Sequence, residues 1–132
     1  MPTHRFDFVE NPTIRRELIS LETMEDRVAA ASRVMDLLKQ HLVEYVIADT
    51  PNLENLISFL NGAERVIDRL GGRRILGKAL NGRKERFLAF CRETRDQAQG
   101  LIELRGTKLT TTSFGEEMAT FADQIKREAS TL

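Results

Sequence analysis

The chain has no tryptophan, one tyrosine, one cysteine and three prolines in 132 residues. Each scarcity excludes something. A single cysteine, Cys91, makes neither an internal disulfide nor a cysteine-based zinc site, so a reducing compartment, the cytoplasm by default, is the expected setting. The prolines stand at Pro2, Pro12 and Pro51, so nothing beyond residue 52 forbids long helices. No segment approaches the roughly 18 apolar residues of a membrane span, and no membrane is expected among the partners. The opening MPTHRFDFVENP lacks the apolar stretch of a secretory signal.

The chemistry-bearing residue types are equally sparse. The histidines are His4 and His41. A metal site on a helix wants a second ligand three or four residues away, and those places after His41 hold Glu44 and Tyr45. His41 therefore reads as a boundary residue on a helix. Gly71-Gly72 is followed by Arg73-Arg74 and does not have the spacing of a phosphate-binding loop. The acidic pairs Glu25-Asp26 and Glu116-Glu117 fall at predicted helix starts, where they complement the dipole. Cys91 lies in phase with an apolar stripe, as a buried structural thiol would. No catalytic constellation emerges, and neither a cofactor nor a metal is expected.

What the chain does have is periodicity. With 41% hydrophobic and 30% charged residues it is globular in composition, and its length suits one domain. Residues 1–11 alternate polar and apolar side chains and read as an extended arm, too short to propose a sheet. Asn11-Pro12 is a helix start, and a short helix to about Ser20 follows. Thr23 to Asp26 resembles a capping box opening a second helix. There Met24, Val28, Ala31, Met35, Leu38, Leu42 and Tyr45 repeat at alternating spacings of four and three, one stripe of an α-helix. Val34, Leu37 and Val46 widen it.

Thr50-Pro51 predicts the next start. Leu53, Leu56, Leu60, Ala63, Ile67 and Leu70 keep one phase straight through Asn61-Gly62, so the helix continues across that turn-like pair. Gly71-Gly72 ends it. Residues 73–82 read as a connector closed by Asn81-Gly82, before a helix from about Arg83 to Leu104 with Phe87, Cys91, Thr94, Ala98 and Leu101 on one face. After a polar loop at 106–112, Ser113 to Glu116 forms a capping box for a last helix carrying Phe114, Met118, Phe121, Ile125 and Leu132. The expected fold is all-α: an antiparallel bundle of four main helices plus a short N-terminal one over residues 12–132. Heptad-spaced stripes close either within one chain or between two, in a homodimer.

The net charge is zero but unevenly spread. Residues 1–60 hold six basic and ten acidic residues, a net of −4; residues 73–95 hold eight basic and two acidic, a net of +6. Arg73, Arg74, Lys78, Arg83, Lys84 and Arg86 crowd around one predicted loop and helix start. Either this block is a solvated face paired with the acidic helices, or it meets phosphates or an acidic partner. The expected function is that of a small helical adaptor, inhibitor or regulator that docks a protein partner without catalysis. Nucleic-acid binding through the basic block is the alternative, against which the pI of about 6.8 speaks. A structural subunit of a larger assembly is a third reading.

Overall fold

The computed structural model describes residues 4–48, 51–107 and 111–132, and every regular element among them is helical. In order these are α1 (Pro12–Leu21), α2 (Arg27–His41) running into a π-helical turn (Leu42–Val46), α3 (Leu53–Asp68), α4 (Arg73–Arg105) and α5 (Thr111–Ala129). No helix among the described residues is long and apolar enough to cross a membrane. One cluster of buried apolar side chains draws on every element.

The N-terminal segment corrects the extended-arm expectation. Residues 4–9 form a turn, with Asp7 N–H donating to the His4 carbonyl (3.1 Å) and Val9 N–H to the Phe6 carbonyl (3.0 Å). The Asp7 carboxylate in turn accepts from His4 N–H at 3.0 Å. A turn brings residues three apart to one side, so Phe6 and Val9 are both fully buried. Arg15, on α1, fastens the turn by donating Nε–H to the Val9 carbonyl at 2.8 Å.

α1 starts as its sequence requires: Asn11 Oδ1 accepts from the amides of Thr13 and Ile14, with Pro12 in the first turn. The break near residues 20–23 is present, but the second cap is not Thr23. Asp26 is the N-cap of α2 and accepts from Val28 and Ala29 N–H, both at 3.1 Å. Thr23 instead donates its hydroxyl to the Ser20 carbonyl, within the turn that leaves α1.

The stripe of α2 is buried in its middle and exposed at its ends. Ala31, Met35, Leu38 and Leu42 are inside, as are Val34, Leu37 and Val46, whereas Val28 and Tyr45 are 44% and 55% exposed. The π-turn explains Tyr45. Its hydrogen bonds reach back five residues, as Ile47 N–H does to the Leu42 carbonyl (3.0 Å), so one extra residue enters the turn. Val46 and Ile47 take the inward places, and Tyr45 is left at the surface. His41 is not a boundary residue: only 3% of it is exposed.

α3 is capped by Asn52, whose side chain accepts from Asn55 N–H at 2.9 Å; Pro51 precedes the helix, and Thr50 lies outside the described residues. The helix passes through Asn61-Gly62 unbroken, and its predicted stripe from Leu53 to Ile67 is buried. The glycine has a packing reason. A Cβ at Gly62 would overlap the ring of Phe8, which lies against the helix backbone there.

The connector at 73–82 resolves differently from its sequence. Asn81-Gly82 is inside α4, and the break is at Gly77, with φ +81° and ψ 168°. A positive φ suits glycine, whereas Asn-Gly is tolerated in a helix whose other face is well packed. Arg73 to Leu76 is thus one turn set at an angle to the rest. Its predicted stripe, Phe87 to Leu101 with Cys91 and Thr94, is buried. α4 packs mainly on α3, and the polar partners run in opposite order along the two: Glu54 with Arg105, Glu64 with Arg92 (3.3 Å) and Arg95 (2.6 Å), then the α3 C-terminus with Lys84. α5 begins at Thr111, so Ser113 is inside the helix rather than its cap. Met118, Phe121, Ile125 and Leu132 are buried, as the stripe predicts.

Gly62→Ala should lower stability by about 1–3 kcal/mol despite alanine's higher helix propensity, because the new methyl overlaps the Phe8 ring. In a double-mutant cycle, Phe8→Ala should remove most of that penalty, which chemical denaturation of the four proteins checks.

Candidate functional site

The structure divides the predicted basic block. Lys84 is buried at 7% exposure, and its Nζ donates to the carbonyl of Gly71 (2.8 Å) and, more weakly, that of Asp68 (3.4 Å). The Asp68 carbonyl is one that α3 leaves unsatisfied at its C-terminus and Gly71 lies just beyond it, where the helix dipole also favours a cation. Arg83 donates Nε–H to the Leu132 carbonyl (2.8 Å) and pairs with Asp36 (2.8 Å), tying α4 to α2 and the C-terminal segment. Both side chains, placed in the binding set by the sequence, are thus engaged within the fold.

Arg73, Arg74, Lys78 and Arg86 are exposed, and their side chains make no hydrogen bond or ion pair among the described residues. Between the first three stands Ile75, 56% exposed. Gly72 caps the helix without a side-chain hydrogen bond, so neither a carboxylate nor a hydroxyl offsets two arginines in the first turn. Cations there oppose the helix dipole unless an anion joins them.

Folding adds cations that sequence reasoning left out. A cleft of about 520 Å³ is lined by Arg5, Phe8, Arg65 and Arg69, together with His4 and Asp7. A second, of about 300 Å³, is lined by Arg5, Glu22, Arg27, Arg69, Gly71 and Ile75. Arg5 and Arg69 belong to both, so the clefts adjoin and lead to the exposed turn at the start of α4. The acids in them are engaged: Glu22 pairs with Arg5 and with His4, and Asp7 binds the His4 amide. The side chains of Arg65 and Arg69 make no hydrogen bond or ion pair among the described residues. The basic corner thus comes from the N-terminal turn, the start of α2, the end of α3 and the start of α4. In sequence, residues 61–72 are charge-balanced and residues 1–60 acidic. The one available signal was the i, i+4 spacing of Arg65 and Arg69 at the end of a helix.

Cys91 is fully buried, and desolvation, with the Glu64 carboxylate adding to it, pushes its thiol up to about 12. The thiol stays protonated at neutral pH, which makes it a poor nucleophile. Among the described residues no group of three or more histidine, cysteine, aspartate or glutamate side chains is placed to hold a metal ion. Comparison of the chain with protein-family models, with curated proteins and with solved structures finds no match.

Two measurements follow from this division. Lys84→Ala should cost about 1–3 kcal/mol in denaturant unfolding by deleting the charge-assisted bonds of a buried ammonium to partly buried carbonyls, whereas Arg73→Ala and Arg74→Ala should stay within about 0.5 kcal/mol. Cys91 should react with a thiol reagent at pH 8 only at the rate of chain opening, and promptly once the protein is unfolded.

Proposed function

We propose that the protein is a non-catalytic helical interaction module that docks an acidic segment of a protein partner on the basic corner between α3 and α4. The observation that carries this reading is Ile75, more than half exposed amid Arg73, Arg74 and Lys78 on a turn that Gly77 sets apart from the rest of α4. A single apolar side chain ringed by unpaired cations suits a peptide carrying carboxylates around one apolar residue. Arg65 and Arg69 extend the positive surface along α3 into the clefts. The turn departs at an angle from the packed helix, so a partner reaches it without disturbing the core.

The nucleic-acid reading uses the same cations and differs at Ile75, since phosphates gain nothing from an exposed isoleucine side chain. The reversed order of polar partners along α3 and α4 supports reading the helices as an antiparallel bundle of four with a short N-terminal helix. Val28, at the exposed start of the α2 stripe, would lie on the seam of a homodimer. A buried, unpaired thiol suits a reducing compartment such as the cytoplasm.

The test is fluorescence anisotropy with three labelled probes: an acidic peptide with one central leucine, a duplex DNA and a single-stranded RNA, each at low and near-physiological salt. The acidic peptide should bind, Arg73→Glu/Arg74→Glu should abolish binding, and Ile75→Ser should weaken it about threefold to tenfold. Binding of DNA or RNA that falls steeply with salt and ignores Ile75→Ser would replace the protein partner by nucleic acid. No binding of any probe at low salt would remove the basic corner from consideration as a docking site.

A further inference from the structure

Phe8 borders a second cavity, of about 310 Å³, whose chemistry is opposite to that of the basic clefts. Its wall holds four rings in series. The His41 imidazole stacks on Phe59 with centroids 5.3 Å apart and lies 5.3 Å from the Tyr45 ring. Phe8 meets Phe59 edge-on at 5.7 Å. The remaining polar groups are chiefly Glu10 and Asn55. No lysine or arginine lines the cavity, and Glu10 makes no ion pair among the described residues. The cavity therefore combines an aromatic wall with one uncompensated carboxylate.

Three further features point to a ligand. His41 is 3% exposed, and its Nδ1 has no hydrogen-bond partner. A leucine or phenylalanine would fill the same place without an orphaned nitrogen, so the imidazole carries a cost that an apolar side chain there would not. Second, the π-turn that follows His41 directs Val46 and Ile47 inward and leaves Tyr45 half-exposed beside the imidazole. Third, burial holds the His41 pKa below its ordinary value, with Glu10 opposing the shift only in part. The imidazole is thus neutral at physiological pH and adds an aromatic surface rather than a repelling charge.

We infer that the cavity formed by Phe8, His41, Tyr45, Phe59 and Glu10 binds an alkylated ammonium group, free or carried on a lysine side chain. The rings supply the cation–π surface that favours a diffuse, weakly hydrated cation, and Glu10 supplies the counter-charge. Asn55 offers an amide to a neighbouring hydroxyl or carbonyl of the ligand. A compact ammonium gains less, because it keeps its water more tightly. A divalent metal does not fit, since no ligand cluster for one is assembled among the described residues.

Isothermal titration calorimetry on the intact protein tests this with choline and, as its neutral isostere, 3,3-dimethylbutan-1-ol. Choline should saturate with a Kd on the order of 1 mM or tighter, and the isostere should bind at least about tenfold more weakly. Glu10→Gln and Tyr45→Ala, both at exposed positions, should each weaken choline about threefold to tenfold while circular dichroism and the melting temperature stay unchanged. A short trimethyllysine peptide separates the sources: tighter binding than choline assigns a modified protein, equal or weaker binding a free small molecule. No saturable heat with choline up to about 20 mM, equal binding of the isostere, or indifference to both substitutions would overturn the assignment.

Discussion

Gly62 is where the chain lets an aromatic ring touch a helix backbone. Phe8 occupies the space that any side chain at position 62 would need. That contact holds the N-terminal turn against α3 and so fixes two walls at once. On one side Phe8 borders the cleft containing Arg5, Arg65 and Arg69; on the other it borders the cavity of His41 and Glu10. Without the turn in place, neither recess would have its present shape. Dispersion at so close an approach is short-ranged, so it rewards one position of the ring and few others.

Charge is sorted by the fold rather than spread over it. The ends of helices create demand for particular signs, and the chain meets some of that demand from within. Lys84 answers the carbonyls at the end of α3, Arg83 answers Asp36 and the Leu132 carbonyl, and Glu64 takes up Arg92 and Arg95. Of the cations left without side-chain partners among the described residues, Arg65, Arg69, Arg73, Arg74 and Lys78 lie at the α3–α4 corner, and the carboxylate of Glu10 stands beside aromatic rings. A neutral chain thereby presents two adjoining basic clefts and one acidic recess, with Phe8 between the larger cleft and that recess.

The helices were legible because apolar spacing is a local property, so the stripes of α2, α3 and α4 predict which side chains are buried. The continuity of α3 through Asn61-Gly62 was legible for the same reason. Other features depend on what arrives from elsewhere. The break in α4 falls at Gly77 rather than Asn81-Gly82, because an Asn-Gly pair bends a chain only where packing does not hold it straight. The turn at residues 4–9 depends on Arg15 reaching back to the Val9 carbonyl, and alternation in the sequence carries no trace of it. Nothing local distinguishes Lys84 from Lys78; only the end of α3 beside one of them does. The basic corner joins segments that are acidic or balanced when read alone.

The π-turn at Leu42–Val46 stores one residue more than an α-helix of the same rise would hold. One residue is about 100° of helix rotation. A chain with the same three-dimensional arrangement but without that residue would show an unbroken four-three rhythm up to its loop. Aligned position by position with the present sequence, the two would agree through His41 and then fall out of register, inward positions facing outward ones. The extra residue therefore marks the point in this helix where kinship of structure and similarity of sequence come apart, and a gap placed within residues 42–46 is what would restore the match.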